Sequence, residues 1–239
     1  MEEITRILLY TLIASACIPF GGLLASVERI RPNWLENEFR HFLIAFGGGV
    51  LLSAVAFVLV PEGNQYFPGP VLGVIILLSG GISFFLLERF LGAKKREAAI
   101  QRHAAGLHSG NAGPGGAFAL GAKSAPLLAA FIELQNLPEG FNAYRELITN
   151  PHTDKKRILG FMFMLVPLGP IMAFTGWAFL SDHDVLPGAI MLFASGGILY
   201  LIFQDIAPQS HMQRHWAPPL GAILGFAVGM LGANLIPGA

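Results

Sequence analysis

The stretch Gln135-Asn136-Leu137-Pro138-Glu139-Gly140 lies inside a long apolar run, from about Ser124 to Leu147. In a helix that crosses a membrane, polar and ionisable groups at this depth are costly and usually mark the route of a substrate or ion. Pro138 has no N–H, and its ring displaces the carbonyl one turn upstream. The stretch therefore predicts a cluster of oxygen ligands formed by Gln135, Asn136, Glu139 and this carbonyl. The alternative is a packing kink, with Glu139 neutral or reaching towards the membrane surface.

The composition predicts a polytopic all-α membrane protein with a single domain over residues 1–239. Of the 239 residues, 54% are hydrophobic and 13% are charged, whereas a soluble domain has about 25% charged residues. The mean hydropathy is +0.59. Lys plus Arg and Asp plus Glu are equal at 15 each, a balance that does not favour a nucleic-acid partner. The single Cys17 allows no intrachain disulfide, and no cleavable signal peptide is predicted.

Seven apolar runs approach the length of about 20 residues that a helix needs to cross a bilayer. They are Ile4–Ser26, His41–Val60, Pro70–Leu91, Ser124–Leu147, Ile158–Leu180, Pro187–Ile206 and Pro218–Ile236. Between the third and fourth runs, residues 92–123 are rich in basic residues and glycine, which predicts a flexible loop. Its histidines, His103 and His108, are sparser than those of metal-binding tracts, so a solvated loop is favoured.

The distribution of basic residues indicates one further crossing. With seven strict crossings, one side of the membrane carries nine Lys and Arg residues and the other carries six. A partial crossing between Arg102 and Lys123 would put the basic clusters of residues 94–102 and 145–157 on the same side. With Lys123 left out, the division becomes twelve against two, an excess that is usual for cytoplasmic loops. Because this stretch is too polar and glycine-rich to face lipid, it would be a stunted or re-entrant element buried against protein.

Several motifs together resemble the ZIP family (Zrt/Irt-like proteins) of divalent metal transporters. Residues 135–140 resemble the metal-binding motif of that family's fifth helix. The second, sixth and seventh family helices are matched by Val58-Leu59-Val60-Pro61-Glu62, Val166-Pro167-Leu168-Gly169 and Gln204-Asp205-Ile206-Ala207-Pro208-Gln209-Ser210-His211. The resemblance covers most of the chain. It implies a ZIP-like bundle of eight transmembrane helices in which the fourth and fifth face each other.

The resemblance also implies the residues of a metal site. Gln135, Asn136 and Glu139 would line the central site, and Gln204 and Asp205 would belong to an exit or auxiliary site on the cytoplasmic side. Zinc prefers about four ligands of histidine nitrogen and carboxylate oxygen. One glutamate and two carboxamides suit harder ions such as manganese or magnesium better.

The chain departs from the family pattern at several positions. The second-helix histidine of the family is Val58 here, the sixth-helix glutamate is Val166, and the seventh-helix His-Glu pair is Gln204-Asp205. The fourth helix is missing or stunted, since only the weak stretch around residues 104–122 stands in its place. Waters, Glu133 or a second protomer would complete the ligand set.

Three other features leave alternatives open. Glu133 faces roughly the opposite side of the helix from Gln135, so it would pair with another helix, face a dimer interface or act as a ligand. The methionines of two neighbouring runs would form a copper(I) path or, the favoured interpretation, pack in the lipid phase; they are Met162, Met164, Met172 and Met191. His211 and His215 are interpreted as solvated.

These features predict a transporter that moves a divalent cation of the zinc, iron or manganese class towards the cytoplasm by alternating access. Glu139 would be the main charged ligand, and Asp205 would receive the ion. We expect no enzyme activity and no cofactor, the metal ion and the lipid bilayer as partners, a homodimer, and a multi-pass location in a prokaryotic inner membrane. The alternatives are a non-transporting ZIP-like protein with a structural or regulatory role and a transporter of another small solute.

Overall fold

The computed structural model describes residues 2–27, 33–92, 125–148, 154–180, 185–210 and 216–235. These residues are helical almost throughout, and no strand occurs among them. In chain order the helices are α1 (Glu2–Val27), α2 (Asn33–Ala54), α3 (Val60–Gln65), α4 (Pro70–Gly92), α5 (Ala125–Ile148), α6 (Lys155–Leu165), α7 (Leu168–Leu180), α8 (Leu186–Leu201), α9 (Ala207–Ser210) and α10 (Ala217–Leu235). Single π-helical turns, Val55–Leu59 and Ile202–Ile206, continue α2 and α8.

Six described helical segments are long and apolar enough to cross a membrane, which confirms a multi-pass membrane protein. They are Ile4–Val27, Glu38–Gln65, Val71–Phe90, Lys155–Ala178, Leu186–Ser210 and Ala217–Leu235. The fourth of the seven predicted spans forms α5 but is not among the six, because the acids and carboxamides of its motif lower its hydropathy. The predicted count of seven is therefore not reached by length and composition alone.

The fifth predicted span, Ile158–Leu180, is divided into α6 and α7. The helix stops at Val166, whose N–H donates to the Phe163 carbonyl at 3.2 Å, a tight turn of three residues. Pro167 and Pro170 lack the N–H groups that would continue the α-helical pattern across this point. The break was not predicted from the apolar run.

Several predictions lie outside the described residues. These are the flexible loop beyond Gly92, with His103 and His108, the partial crossing between Arg102 and Lys123, and the solvated pair His211 and His215.

Glycines bring the backbones of neighbouring helices close together. A Cβ added at Gly225 of α10 would lie 2.9 Å from the Phe46 carbonyl carbon of α2, and one added at Gly140 of α5 would lie 2.8 Å from Ile18 Cα of α1. On α8, a Cβ at Gly196 would lie 2.8 Å from the Gly81 nitrogen of α4. In lipid, helices associate through such close packing rather than through hydrophobic burial. These contacts therefore fix the pairs α2–α10, α1–α5 and α4–α8.

Paired contacts also give the direction of each helix. Along α1 and α5, Ala14 meets Asn136 and Ile18 meets Gly140, so the two helices are parallel. Along α4 and α8, Gly80 meets Phe193 and Glu88 meets Tyr200, so these are parallel as well.

The helix α2 runs in the opposite direction to α5 and α8, one helix of each pair. Phe39 lies against Phe141 and Gly47 lies near Pro138, which makes α2 antiparallel to α5. Gly48 meets Ile206 and Gly63 meets Leu192, which makes α2 antiparallel to α8. The helices α4 and α5 therefore run in the same direction, although no described helix lies between them in the chain.

The largest apolar core surrounds the second half of α2 and its π-turn. Val50, Val55 and Val58 pack there against Ile7 of α1, Phe131 of α5 and Met191 of α8. A second cluster joins α1, α5 and α6 and contains Ile18, Phe141, Tyr144, Ile158 and Met162. Because Met162 and Met191 lie in different clusters and Met164 is exposed, the methionines are distributed as packing residues.

We expect Gly140→Ala to lower the melting temperature in detergent, because the new Cβ would meet the backbone of Ile18, which no side-chain rotation can relieve. Overpacking of this kind costs about 1–3 kcal/mol. Gly160→Ala on α6 is the matched control, since a Cβ there meets nothing within 4 Å, and it should stabilise the helix by up to about 1 kcal/mol. Equal melting temperatures for the two variants would show that the α1–α5 contact is not tight.

Candidate functional site

Prolines, glycines and one helix break lie at the same level of the bundle. On α5 this level holds Pro138 and Gly140, and Gly140 lies against Ile18, next to Pro19 of α1. Ser15 of α1 lies against Gly169, at the start of α7 after the α6–α7 break. In the hydrocarbon region, irregular backbone is tolerated only where it is buried in protein or lines a water-filled cavity. The level therefore has the structural character of a membrane-embedded site.

The three consecutive glycines of α2 face three different elements at this level. A Cβ on Gly47 would lie 3.6 Å from Pro138 Cγ and 3.9 Å from Gln135 Cγ of α5. A Cβ on Gly48 would meet Ile206 of the second π-turn at 2.7 Å, and one on Gly49 would meet the Phe226 nitrogen of α10 at 2.8 Å. Gly47 is thus the glycine of α2 that lies opposite the motif, whereas Gly48 and Gly49 allow close contact with the second π-turn and α10.

Gln135 and Glu139 form a pair on this face of α5. The Gln135 side-chain amide donates a hydrogen bond to Glu139 Oε2, as the spacing i, i+4 allows on a helix. Gln135 is 8% exposed, and Glu139 is half-buried. The Gln135 amide nitrogen is thereby held against the Glu139 carboxylate within the bundle, and Gln135 lies opposite Gly47.

Asn136 lies on another face and serves another contact. Its Nδ2 donates to the Ala14 carbonyl of α1 at 2.8 Å, and the residue is only 3% exposed. The side chain therefore ties α5 to α1. The predicted set of Gln135, Asn136 and Glu139 does not share one face, because consecutive residues of a helix differ in direction by about 100°.

Gln204 is held by α4 rather than by α5. Glu88 accepts a hydrogen bond from the Tyr200 hydroxyl and a longer one, at 3.4 Å, from Gln204 Nε2. Asp205 is half-buried in the same π-turn. The two residues of the predicted exit site are thus adjacent in the chain, but Gln204 joins α8 to α4.

Asn142 continues the polar face of α5 by one turn. It is 8% exposed, and its Nδ2 donates to Gln209 Oε1 of α9 at 3.4 Å. Gln135, Glu139 and Asn142 have the spacing i, i+4, i+7, which places them on one face of the helix. Sequence analysis missed Asn142, although this spacing was visible within the apolar run.

One residue separates the end of each π-turn from a proline. Val60 N–H donates to the Val55 carbonyl and Ala207 N–H to the Ile202 carbonyl, five residues back in each case. The following residues, Pro61 and Pro208, have no N–H. In an α-helix, Val60 and Ala207 would donate to the carbonyls of Ala56 and Phe203, but here they donate one residue further back. Because the next residue in each case is a proline, these two carbonyls receive no replacement donor from the helix backbone. Single π-turns are frequent at functional sites, and no sequence pattern used above identified them.

Val58 and Val166 stand where the ZIP pattern has a histidine and a glutamate, and they offer no polar side chain to the site. Val58 is 0% exposed and belongs to the main core. Val166 is half-buried at the α6–α7 break. Neither contributes a ligand atom from its side chain.

Glu133 is separated from the Gln135–Glu139 pair. It is half-buried and lies near enough to Cys17 of α1 to interact with it electrostatically. Among the described residues, Glu133 has no hydrogen bond or ion pair. Its predicted pairing with another helix is not found there.

The chemistry of the site is that of oxygen donors. In the described part of the chain, no group of three or more His, Cys, Asp or Glu residues is arranged to hold a metal ion. The candidate ligands are the Glu139 carboxylate, whose Oε2 accepts a hydrogen bond from the Gln135 amide, and the carboxamide oxygens of Gln135 and Asn142. Such donors suit hard cations, and waters would have to complete the coordination.

No protein-family model matches the sequence, and no curated protein matches it. The functional interpretation therefore depends on the residues and their geometry.

We expect Asn136→Leu to destabilise the α1–α5 pair, because the variant keeps the size of the side chain and loses the donor to Ala14. Interhelical hydrogen bonds in membranes are worth about 0.6 kcal/mol on average and up to about 1.7 kcal/mol. Thermal unfolding in detergent would measure the loss. Asn234→Leu is the control, since Asn234 is exposed and bonds only within its own helix, to Met230. A loss no larger than that of the control would contradict the anchoring role.

Proposed function

We propose that this protein is a ZIP-type transporter that moves a divalent metal cation across a membrane by alternating access. The observation that carries the proposal is the Gln135–Glu139 pair inside the bundle, next to Pro138 and on the face of α5 that meets Gly47 of α2. An acidic side chain at membrane depth is costly and usually marks an ion or substrate route. No bond is made or broken in such a process, and no cofactor is needed.

The oxygen donors favour hard cations within the proposed class. Carboxylate and carboxamide oxygens suit manganese or magnesium better than zinc. We therefore expect manganese to be transported in preference to zinc, with iron between them. Asp205 is half-buried and follows Gln204, which donates to Glu88. Asp205 would receive the ion after it leaves Glu139.

The direction of transport follows from the distribution of charge. Since α4 and α5 are parallel and α2 is antiparallel to them, Arg40, Arg89, Arg145 and the basic run 155–157 lie towards one end of the bundle. Arg6 lies at the other end, at the start of α1. Cytoplasmic ends normally carry such an excess, so the ion would move from the Arg6 end towards the basic end, across a prokaryotic inner membrane. A homodimer remains part of the proposal.

A second candidate is a ZIP-like protein that does not transport. Val58 lies in the apolar core, and both Asn136 and Gln204 are engaged in contacts between helices. These observations favour a structural or regulatory role. The third alternative, transport of another small solute, keeps Glu139 and abandons the metal.

Metal uptake into proteoliposomes tests the transporter. We expect Mn²⁺ uptake by the wild type and a loss of more than about tenfold in Glu139→Gln, since the charged ligand is removed; such a loss corresponds to about 1.4 kcal/mol or more. Glu133→Gln is the matched control, because it makes the same chemical change on the opposite face of α5. Flux of another solute without metal would favour the third alternative, and no flux of any kind would favour the second.

The parallel directions of α4 and α5 support an eighth crossing. Two consecutive helices that cross a membrane in the same direction need a return crossing between them. Single cysteines at Arg89, Lys155 and Val185, in a Cys17→Ser background, would be labelled with an impermeant thiol reagent. We expect the first two on one side and Val185, at the start of α8, on the other. Labelling of Arg89→Cys and Lys155→Cys from opposite sides would rule out the extra crossing.

A further inference from the structure

The polar face of α5 continues beyond the Gln135–Glu139 pair towards the basic end of the bundle. Asn142 lies one turn from Glu139 on the same face, and the exposed Glu146 follows one turn later. The spacings of four, three and four residues keep all of these on one side of the helix. A buried helix face inside an apolar bundle would ordinarily carry apolar residues, whereas here polar side chains follow one another from Glu139 towards the basic end.

The Asn142–Gln209 contact joins this polar face to α9. Its partners come from α5 and from α9, and both are carboxamides, so neither brings a charge that would trap a cation. The hydrogen bond has an N···O distance of 3.4 Å, at the long end of the range and well beyond the usual 2.9–3.0 Å. Asn136, which anchors the same helix, bonds at 2.8 Å. The anchor is therefore a strong contact and the Asn142–Gln209 contact is a weak one.

The two partners also differ in how firmly the structure holds them. Asn142 is on α5, which Gly140 and Asn136 fix against α1. Gln209 is on the four-residue helix α9, directly after the second π-turn and Pro208. π-turns and prolines are the usual causes of bends in helices. A bend at this point would move Gln209 away from Asn142 while α5 stays in place.

We propose that Asn142 and Gln209 form a gate that closes the route from Glu139 to the basic end, and that bending of α8 at its π-turn opens it. The ion that would pass is a hydrated cation, and the gate rests on the proposed function for its cargo. The closing of this route by Asn142 and Gln209 does not depend on which solute is carried.

The gate is tested by access of a thiol reagent to Glu139→Cys, in a Cys17→Ser background. A cationic, impermeant methanethiosulfonate reagent is added from the Lys155 side to sealed vesicles of known orientation. We expect Asn142→Ala and Gln209→Ala each to raise the modification rate about fivefold, the change expected from losing one hydrogen bond between the open and closed forms. Asn234→Ala, which removes a carboxamide from α10, should leave the rate unchanged.

An unchanged rate in Gln209→Ala would overturn the gate, and so would an equal rise in Asn234→Ala. Gln209→Ala is the decisive variant, because Gln209 is exposed and its replacement should leave the core intact even if Asn142→Ala fails to fold. Mn²⁺ uptake by the wild type is measured separately. A raised rate without metal uptake would support the gate and remove the metal as cargo.

Discussion

Close contact between helix backbones at glycine is the constraint on which the rest of this bundle depends. Water drives apolar side chains together in a soluble protein, but lipid gives helices no comparable reason to associate. Here Gly140 against Ile18, Gly225 against Phe46 and Gly196 against Leu77 bring three pairs of helices into contact. Each contact also constrains the rotation of a helix, because the glycine must face its partner for the backbones to come this close.

The rotation of α5 decides which of its polar groups meet. With Gly140 against α1, Asn136 reaches the Ala14 carbonyl, and the face that carries Gln135, Glu139 and Asn142 turns towards α2 and α9. The same motif therefore supplies both an anchor and a candidate ion site. The separation has a cost for metal binding, since Asn136 leaves the ligand set and the remaining donors are few.

The irregular backbone near this site comes from the α6–α7 break and the second π-turn, whereas α5 is a continuous helix through Pro138. Pro138 and the π-turn pack against Gly47 and Gly48 of α2, and the break contacts Ser15 of α1 through Gly169. Backbone groups that lose their helical partners in a membrane need other polar partners or water. A level with several such groups is suited to holding a hydrated ion for a time and releasing it, which is what alternating access requires.

Local properties of the chain were predictable from the sequence. Hydropathy located the membrane-crossing runs, and Pro138 and its acidic neighbour located the candidate site, because apolarity and the missing N–H of proline act on the residues next to them. The predicted run from Ser124 to Leu147 became α5, Ala125–Ile148. Even so, the same polar residues keep α5 out of the six helices that composition alone marks as spans.

Only the tertiary structure decided the partners of these residues. Asn136 bonds to a carbonyl 122 positions away, and Gln204 bonds to Glu88 at a separation of 116. The parallel course of α4 and α5 and the π-turns before Pro61 and Pro208 likewise had no local signal in the sequence. The physical reason is that helix direction and rotation are set by which glycine faces pack together, and that choice belongs to the whole bundle rather than to any one segment.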